Sequence, residues 1–189
     1  MQHDDVSSGL IYKLARIMSY NLRQNNLVSS LAKEIENCRN YLELCVMRMG
    51  DNFGFTIQCP DELKDFNCPK FLLQPIVENA VEHAFDFHSG KKTISITVHK
   101  DEKGITVLVA DNGCGMNQEQ LLALRSSLMD FRGIDGEELS GMRHGIGILN
   151  VHERIKIFYG DEYGIDVDSS AGAGSVFTLK LGYGFPENR

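Results

Sequence analysis

The sequence predicts an α+β fold in which a helical segment precedes a domain of alternating strands and helices. Apolar residues recur at helical spacing from residue 10 to residue 49, whereas short β-branched runs dominate after residue 50. Glycines punctuate the ends of those later runs. We therefore expect two parts, a helical segment over residues 1–50 and an α+β domain over residues 51–189.

The helical segment shows two apolar faces with a break at Asn25 and Asn26. The apolar residues of the two faces are Leu10, Ile11, Leu14, Ile17, Met18 and Leu22, then Leu31, Ile35, Cys38, Leu42, Cys45 and Met49. Ser29 or Ser30 is the candidate cap of the second helix, and Glu34 places a carboxylate in its first turns. This pattern predicts a helical hairpin that packs on a core or on a partner helix.

The domain after residue 50 contains short strands separated by amphipathic helices. Strands are predicted at residues 53–58, 93–99, 105–110, 164–170 and 174–181. Helices are predicted at residues 70–85, from Gln118 onward, and within "HGIGILNVHERIKIFYG" after its opening glycines. This order of elements is typical of an α+β domain.

Composition excludes several classes of protein. The formal net charge of -7 and the sequence pI near 5.3 argue against a nucleic-acid partner, because a protein that binds nucleic acid presents a basic face. The five cysteines show no spacing of paired metal ligands and are interpreted as reduced thiols. No apolar run approaches the roughly 20 residues that cross a bilayer. We expect a soluble, cytoplasmic chain that is a piece of a longer membrane protein.

The first of three motifs is "LLQPIVENAVEHAF", which places polar side chains in an apolar helix. Glu78, Asn79, Glu82 and His83 supply these polar groups. A buried carboxylate or amide without a partner costs several kcal/mol, on the order of 2–7. Glu78 and Asn79 are therefore expected to face either solvent or a site.

The other two motifs combine glycines with a strand end and a helix start. In "DNGCGM", Asp111 follows a strand, and Gly113 and Gly115 allow the backbone to approach a flat ligand closely. In "HGIGILN", Gly145 and Gly147 precede a helix, whose first N–H groups are suited to phosphate oxygens. The first of these motifs alone is also compatible with a plain turn, and Gly-x-Gly alone is weak evidence for a phosphate site.

In this order, the three motifs resemble the N, G1 and G2 boxes of the GHKL ATPases, the superfamily of gyrase, MutL and the sensor histidine kinases. The stretches "FLLQPIVENAVEHAF", "VADNGCGM" and "GIGILNVHERI" are similar to sensor histidine kinases of the LytS type. The stretch "LAKEIENCRNYLELCVMRMGD" resembles the segment that precedes their ATP domain. The resemblance covers nearly the whole chain.

The resemblance implies a two-layer α/β sandwich with a mixed sheet, preceded by part of a dimerisation helix. It implies that ATP and Mg²⁺ bind between helices and a lid at residues 117–143. Asp111 would accept a hydrogen bond from the adenine amino group, Asn79 would ligate Mg²⁺, and Glu78 would act as a base or as a water-orienting group. The other implied nucleotide contacts are His83, Gly113, Gly115, Met116, Gly145, Ile146, Gly147, Ile148 and Ser175.

The chain departs from this pattern at two positions of the site. Glu82 stands where many relatives carry lysine, so Arg143 or His144 is the candidate for the missing cationic contact with phosphate. Ser175 stands where relatives usually carry threonine, which keeps a hydroxyl. The Asn-Pro-His-Phe stretch that holds the phosphoacceptor in relatives does not occur here, and His3 lacks that context.

The function implied is the catalytic domain of a two-component sensor histidine kinase, which transfers the γ-phosphate of ATP to a histidine outside this chain. The implied partners are a response regulator and a second copy of the full-length protein, which would be anchored in a membrane. An anti-sigma-type serine kinase and a nucleotide-binding interaction module without transfer activity stay open as alternatives.

Overall fold

A five-stranded mixed sheet forms the centre of the protein. The structure is a computed structural model that describes residues 27–83, 90–130 and 146–184. The elements are β1 (Val28–Ser30), α1 (Leu31–Met49), β2 (Phe53–Gln58), β3 (Asn67–Pro69), α2 (Gln74–His83), β4 (Lys92–Lys100), β5 (Gly104–Asp111), α3 (Gln118–Asp130), α4 (Ile146–Tyr159), β6 (Gly164–Ser170) and β7 (Gly174–Gly182).

The strand order in the sheet is β2-β4-β5-β7-β6. β2 pairs in parallel with β4, and every other neighbouring pair of this sheet is antiparallel. β1 and β3 form a separate antiparallel pair, which the sequence did not predict. The predicted α+β fold and its five main strands are confirmed, with ends that differ by at most one residue.

One face of the sheet forms the core together with the helices. Side chains alternate between the two faces of a strand, and Ile96, Val107 and Leu179 on one face are fully buried. The opposite face carries residues such as Thr106 and Lys180, which are partly or fully exposed. The helices thus cover a single face, and the two layers predicted from the resemblance are present.

The helix α1 contributes to the same core. Leu31, Cys38 and Leu42 are fully buried, and they belong to one hydrophobic cluster with residues of α2 and the sheet. The boundary at residue 50 stays a prediction, as do the first apolar face and its break at residues 25–26, which lie outside the described residues. No helix in the described ranges is both long and apolar enough to cross a membrane.

Two local predictions are wrong. Helix α2 begins at Gln74 rather than at residue 70, because Phe71 has a φ of 59°, in the left-handed region that helices do not use. Ser30 precedes α1 but makes no side-chain cap to it. The carboxylate of Glu34 lies in the first turn of its own helix, as predicted, and it binds the backbone before α2.

Candidate active site

The backbone that leads into α2 forms a cradle for a carboxylate. The N–H groups of Phe71, Leu72 and Leu73 all donate to Glu34, at distances of 3.0, 2.7 and 3.2 Å. Successive N–H groups converge in this way when one residue of a turn adopts the left-handed conformation, as Phe71 does. Glu34 is only 1% exposed, so this buried charge is stabilised by three donors.

Arg154 of α4 holds the carbonyl side of the same turn. Its Nη1 donates to the carbonyl oxygens of Lys70 and Phe71 at 2.8 and 2.9 Å. Burial lowers the pKa of the Arg154 guanidinium, and the charge of Glu34 opposes that shift. We call Glu34, Arg154 and the backbone of residues 70–73 the α2 clamp, since together they join α1 and α4 to the start of α2.

Helix α2 carries the first predicted motif on an edge between core and surface. Glu78 and Asn79 are half-buried, between the buried Val77 and Ala80. The Nε2 of Gln74, one turn earlier, donates to Oε1 of Glu78 at 2.6 Å. Glu78 therefore faces a polar partner on its own helix rather than open solvent alone.

The turn after β5 forms a hydrogen bond with the side chain of Asp111, the predicted adenine-binding residue. The N–H of Gly113 donates to Oδ1 of Asp111 at 2.8 Å, which is a local turn of the Asx type. Asp111 lies directly opposite Ser175 in the pairing of β5 with β7. Two predicted site residues that are 64 positions apart in the sequence are thereby brought together on the core face, where Ser175 is 7% exposed.

Ser169 of β6 links this pair to the turn. Its hydroxyl donates to the carbonyl oxygen of Gly174 at 2.8 Å and accepts the N–H of Met116 at 2.8 Å. Its Oγ also lies 3.0 Å from Oγ of Ser175. Since the Ser169 proton is used on Gly174, the Ser175 hydroxyl donates in that contact.

Two glycines permit the turn after β5 to pack on the turn between β6 and β7. Gly115 has a φ of 63°, and a Cβ there would lie 2.0 Å from the carbonyl oxygen of Ser170. Gly174 has a φ of 82°, and a Cβ there would lie 2.0 Å from the carbonyl oxygen of Asp111. Gly115 is thus required for backbone packing, and its predicted role in admitting a nucleotide base stays a prediction.

The third motif opens helix α4 beside α2. Gly147 is exposed, and a Cβ on it would make an ordinary contact with Pro75 at 3.4 Å. Ile148 is 2% exposed and belongs to the core, so its predicted contact with a nucleotide stays untested. The predicted residues Arg143, His144 and Gly145, the side chains of His83 and Ile146, and the lid from residue 131 to residue 143 lie outside the described parts. Residues 118–130 of that predicted lid form α3.

Sequence reasoning missed several polar residues that hold the site together. They are Asn37, Gln74, Arg154 and Ser169. The position of Glu34 in the first turn of α1 was predicted, but its binding to the backbone before α2 was not. A signal for Glu34 existed, because it falls on the apolar face that Leu31, Ile35 and Cys38 define. A charged residue on such a face indicates a buried partner.

Residues 69–184 match the family described as "Histidine kinase-, DNA gyrase B-, and HSP90-like ATPase". The chain belongs to this ATPase family. Residues 1–53 match a second family, described as "Histidine kinase". The ATPase match spans all three motifs, so the recognition made from them is confirmed at the level of histidine kinases.

Similar proteins include the sensor protein kinase HptS of Staphylococcus aureus, 27% identical over 172 residues that cover 91% of this chain and 31% of that protein. The chain thus spans about a third of the length of such relatives. The catalytic domain of histidine kinase ThkA has a TM-score of 0.55 and 18% identity, over 82% of this chain and 96% of that one. Histidine kinase AdeS of Acinetobacter baumannii has a TM-score of 0.55 and 16% identity, over 96% and 81%. The two structures share this fold.

Proposed function

We propose that the chain is the ATP-binding catalytic domain of a two-component sensor histidine kinase, and that it transfers the γ-phosphate of ATP to a histidine in another part of the protein. The observation that carries the proposal is the packing of α2 against both β5 and α4. These three elements bear the three motifs of the matched ATPase family, so the motifs come from neighbouring elements.

Adenine would be bound at the end of β5. The carboxylate of Asp111 accepts hydrogen bonds only, which suits the amino group of adenine. Its Oδ1 already accepts the N–H of Gly113, so the turn fixes the orientation of the carboxylate before a ligand arrives. The hydroxyl of Ser175, opposite Asp111, would add a second polar contact at the same place.

Mg²⁺ would be bound through the side-chain oxygen of Asn79. This ion is usually held by one or two protein ligands together with phosphate oxygens and water, and not by a cage of protein groups. Within the described residues no group of three acidic, histidine or cysteine side chains could hold a metal alone. A single amide oxygen on a half-buried edge fits a metal that binds together with the nucleotide, where it would neutralise phosphate charge.

Glu78 would accept the proton that the attacking imidazole loses, or would orient that ring. Phosphoryl transfer depends mainly on positioning and on neutralisation of charge, and a positioned base adds to these effects. Glu78 is adjacent to Asn79, so a base and a metal ligand lie on one edge of α2. The first N–H groups of α4, near Gly145 and Gly147, would face the phosphates.

The partners of the full-length protein follow from the same proposal. A response regulator would receive the phosphoryl group, a second copy would dimerise through the helical segment, and the parent protein would be a membrane-anchored sensor of the LytS type with this part in the cytoplasm. Its similarity to a sensor protein kinase over 91% of the chain supports these roles. We keep residues 1–50 as the helical segment and residues 51–189 as the catalytic domain.

Transfer of labelled γ-phosphate from ATP to a supplied helix fragment that carries an acceptor histidine tests the proposal. Label on histidine is the expected result. Label on a serine of a partner would support the anti-sigma-type kinase. Binding of Mg-ATP without transfer would support the interaction module, for which the exposed Glu82 in place of lysine is the favouring observation.

Two variants separate the metal ligand from the base. Asn79→Ala should weaken binding of Mg-ATP and remove its dependence on magnesium, while ADP still binds through its adenine contacts. Glu78→Gln should still bind Mg-ATP, and its transfer rate should fall by roughly 10²- to 10⁴-fold, the range of general-base catalysis. A Glu78→Gln protein that transfers at the parent rate would refute the catalytic role, and magnesium-dependent binding in Asn79→Ala would move the metal elsewhere.

A further inference from the structure

A chain of side-chain hydrogen bonds runs from α1 to Glu78. Nδ2 of Asn37 donates to Oε1 of Gln74 at 2.5 Å, and Nε2 of Gln74 donates to Oε1 of Glu78 at 2.6 Å. Asn37 is 4% exposed and Gln74 is 8% exposed, so neither amide is a surface group. The hydrogen bond between Gln74 and Glu78 within α2 is therefore extended to Asn37 of α1, which lies 37 positions before Gln74.

The charge of Glu78 sets the direction of this chain. An ionised carboxylate can only accept, so Gln74 must present its NH₂ group to Glu78 and its carbonyl oxygen to Asn37. Asn37 must then present its own NH₂ group. Both amide dipoles consequently point their positive ends towards the carboxylate, and each bond polarises the next.

The α2 clamp fixes the position of α1 along its axis, and it thereby places Asn37 beside Gln74. Glu34 and Asn37 are three positions apart on α1, so they lie on the same side of that helix. Glu34 binds the backbone of residues 71–73 directly before Gln74. The side chains of Glu34 and Asn37 thus bind consecutive parts of the chain. A shift of α1 along its axis would break both contacts.

We propose that Asn37 and Gln74 are positioning residues, which hold the carboxylate of Glu78 in the orientation that phosphoryl transfer needs. This inference rests on the proposed role of Glu78. A hydrogen bond between residues i and i+4 of one helix is too weak to fix a long side chain by itself. The buried Asn37 holds the other end of the Gln74 amide. Gln74 therefore cannot rotate away from Glu78, and the carboxylate of Glu78 keeps its orientation.

Gln74→Met and Asn37→Leu test the proposal, since each removes the amide and keeps a side chain of similar size. Asn40→Leu makes the same change three residues further along α1 and is the matched control. For each variant of the 189-residue chain, we would measure thermal unfolding, Mg-ATP affinity by calorimetry, and single-turnover transfer to the acceptor fragment. Gln74→Met and Asn37→Leu should bind Mg-ATP within about twofold of the parent and transfer about 10²-fold more slowly, as expected for a misplaced group.

The same substitutions in a Glu78→Gln background separate positioning from general damage. If Gln74 acts through the carboxylate, Gln74→Met should cause no further loss of rate once that carboxylate is absent. An equal loss in both backgrounds would overturn the proposal, because a purely structural defect acts regardless of residue 78. The same cycle with Asn37→Leu keeps the test valid if Gln74→Met does not fold.

The result also distinguishes this inference from the proposed function. Parent-rate transfer by Gln74→Met and Asn37→Leu, beside slow transfer by Glu78→Gln, would refute the positioning role and leave the role of Glu78 intact. Parent-rate transfer by Glu78→Gln would overturn both. A loss in Asn40→Leu as large as that in Asn37→Leu would also count against the hydrogen-bonded chain.

Discussion

The start of α2 and the turn after β5 both place predicted site residues, but they are held by different means. At α2, every bond of the clamp joins residues that are 37 to 84 positions apart. The turn after β5 begins with a bond between residues only two positions apart, from Gly113 to Asp111. The first region depends wholly on contacts between distant residues, whereas the second combines a local hydrogen bond with contacts to the turn between β6 and β7.

This difference predicts how each region responds to substitution. The turn is sensitive to backbone geometry, since Gly115 in it and Gly174 in the turn that packs against it allow carbonyl groups to pass within a distance that no Cβ permits. The clamp is sensitive to charge, since one carboxylate satisfies three buried donors. The first three of the four experiments below test this contrast, and the fourth concerns a contact between α4 and β6.

Gly174→Ala should give the largest effect. A Cβ at this positive φ would meet the Asp111 carbonyl oxygen at 2.0 Å, so strain and overpacking together should lower the free energy of unfolding by about 2–5 kcal/mol. Gly172→Ala is the control, because Gly172 has a φ of 80° with no atom within 4 Å of the added Cβ. It should cost about 1–2 kcal/mol. If urea unfolding gave equal losses of unfolding free energy for the two variants, the turn would have shifted to relieve the clash.

Glu34→Gln should destabilise the clamp by about 2–3 kcal/mol, because a neutral amide replaces the charge and turns two donors towards N–H groups. Urea unfolding would measure the change. Hydrogen exchange at Leu72 and Leu73 should become faster, since their N–H groups lose the carboxylate. Glu36→Gln, at an exposed position of the same helix, should change stability by less than about 0.5 kcal/mol. Unchanged exchange at Leu72 would contradict the importance of the clamp.

Asp111→Asn should weaken nucleotide binding and preserve the turn. The amide keeps an oxygen for the N–H of Gly113, so stability should change little. Its NH₂ group would oppose the amino group of adenine, which should cost about 1–3 kcal/mol, or roughly ten- to a hundredfold in affinity. Calorimetry with ADP and ATP would measure this, and unchanged affinity would remove Asp111 from the adenine site.

His152 should give a smaller, pH-dependent effect. Burial, and next the charge of Lys156, lower the pKa of its imidazole, and its Nδ1 accepts the N–H of Ile165 at 2.9 Å, which a protonated ring cannot do. Because the folded pKa lies below the unfolded value, the unfolded chain binds the proton first as the pH falls. The contribution to stability is therefore complete above about pH 6.5 and is lost as the pH falls through the folded pKa.

The measurement is urea unfolding of the parent and of His152→Gln at several pH values between about 7.5 and 5. Glutamine can accept the same N–H without titrating, so the stability of the variant should fall less over this range. Parallel curves for the two proteins would show that His152 does not contribute to the pH dependence.

Most of the fold could be predicted from the sequence because its signals are local. Alternating side chains defined β5 and β7, and the glycines of "DNGCGM" marked the turn. The start of α2 could not be predicted, since the apolar spacing continues through Phe71, which leaves the helical conformation only where Glu34 and Arg154 bind its backbone. The pairing of β1 with β3 is too short to show a period.

The sequence by itself determined the three motifs of the ATPase family and which segments become strands and helices, because residue type and spacing act over a few positions. Only the tertiary structure decided what those residues touch. It placed Ser175 opposite Asp111, directed Glu34 to another helix, and connected Glu78 to α1 through two buried amides. Such contacts join residues far apart in the chain, and burial then requires each polar group to find its partner.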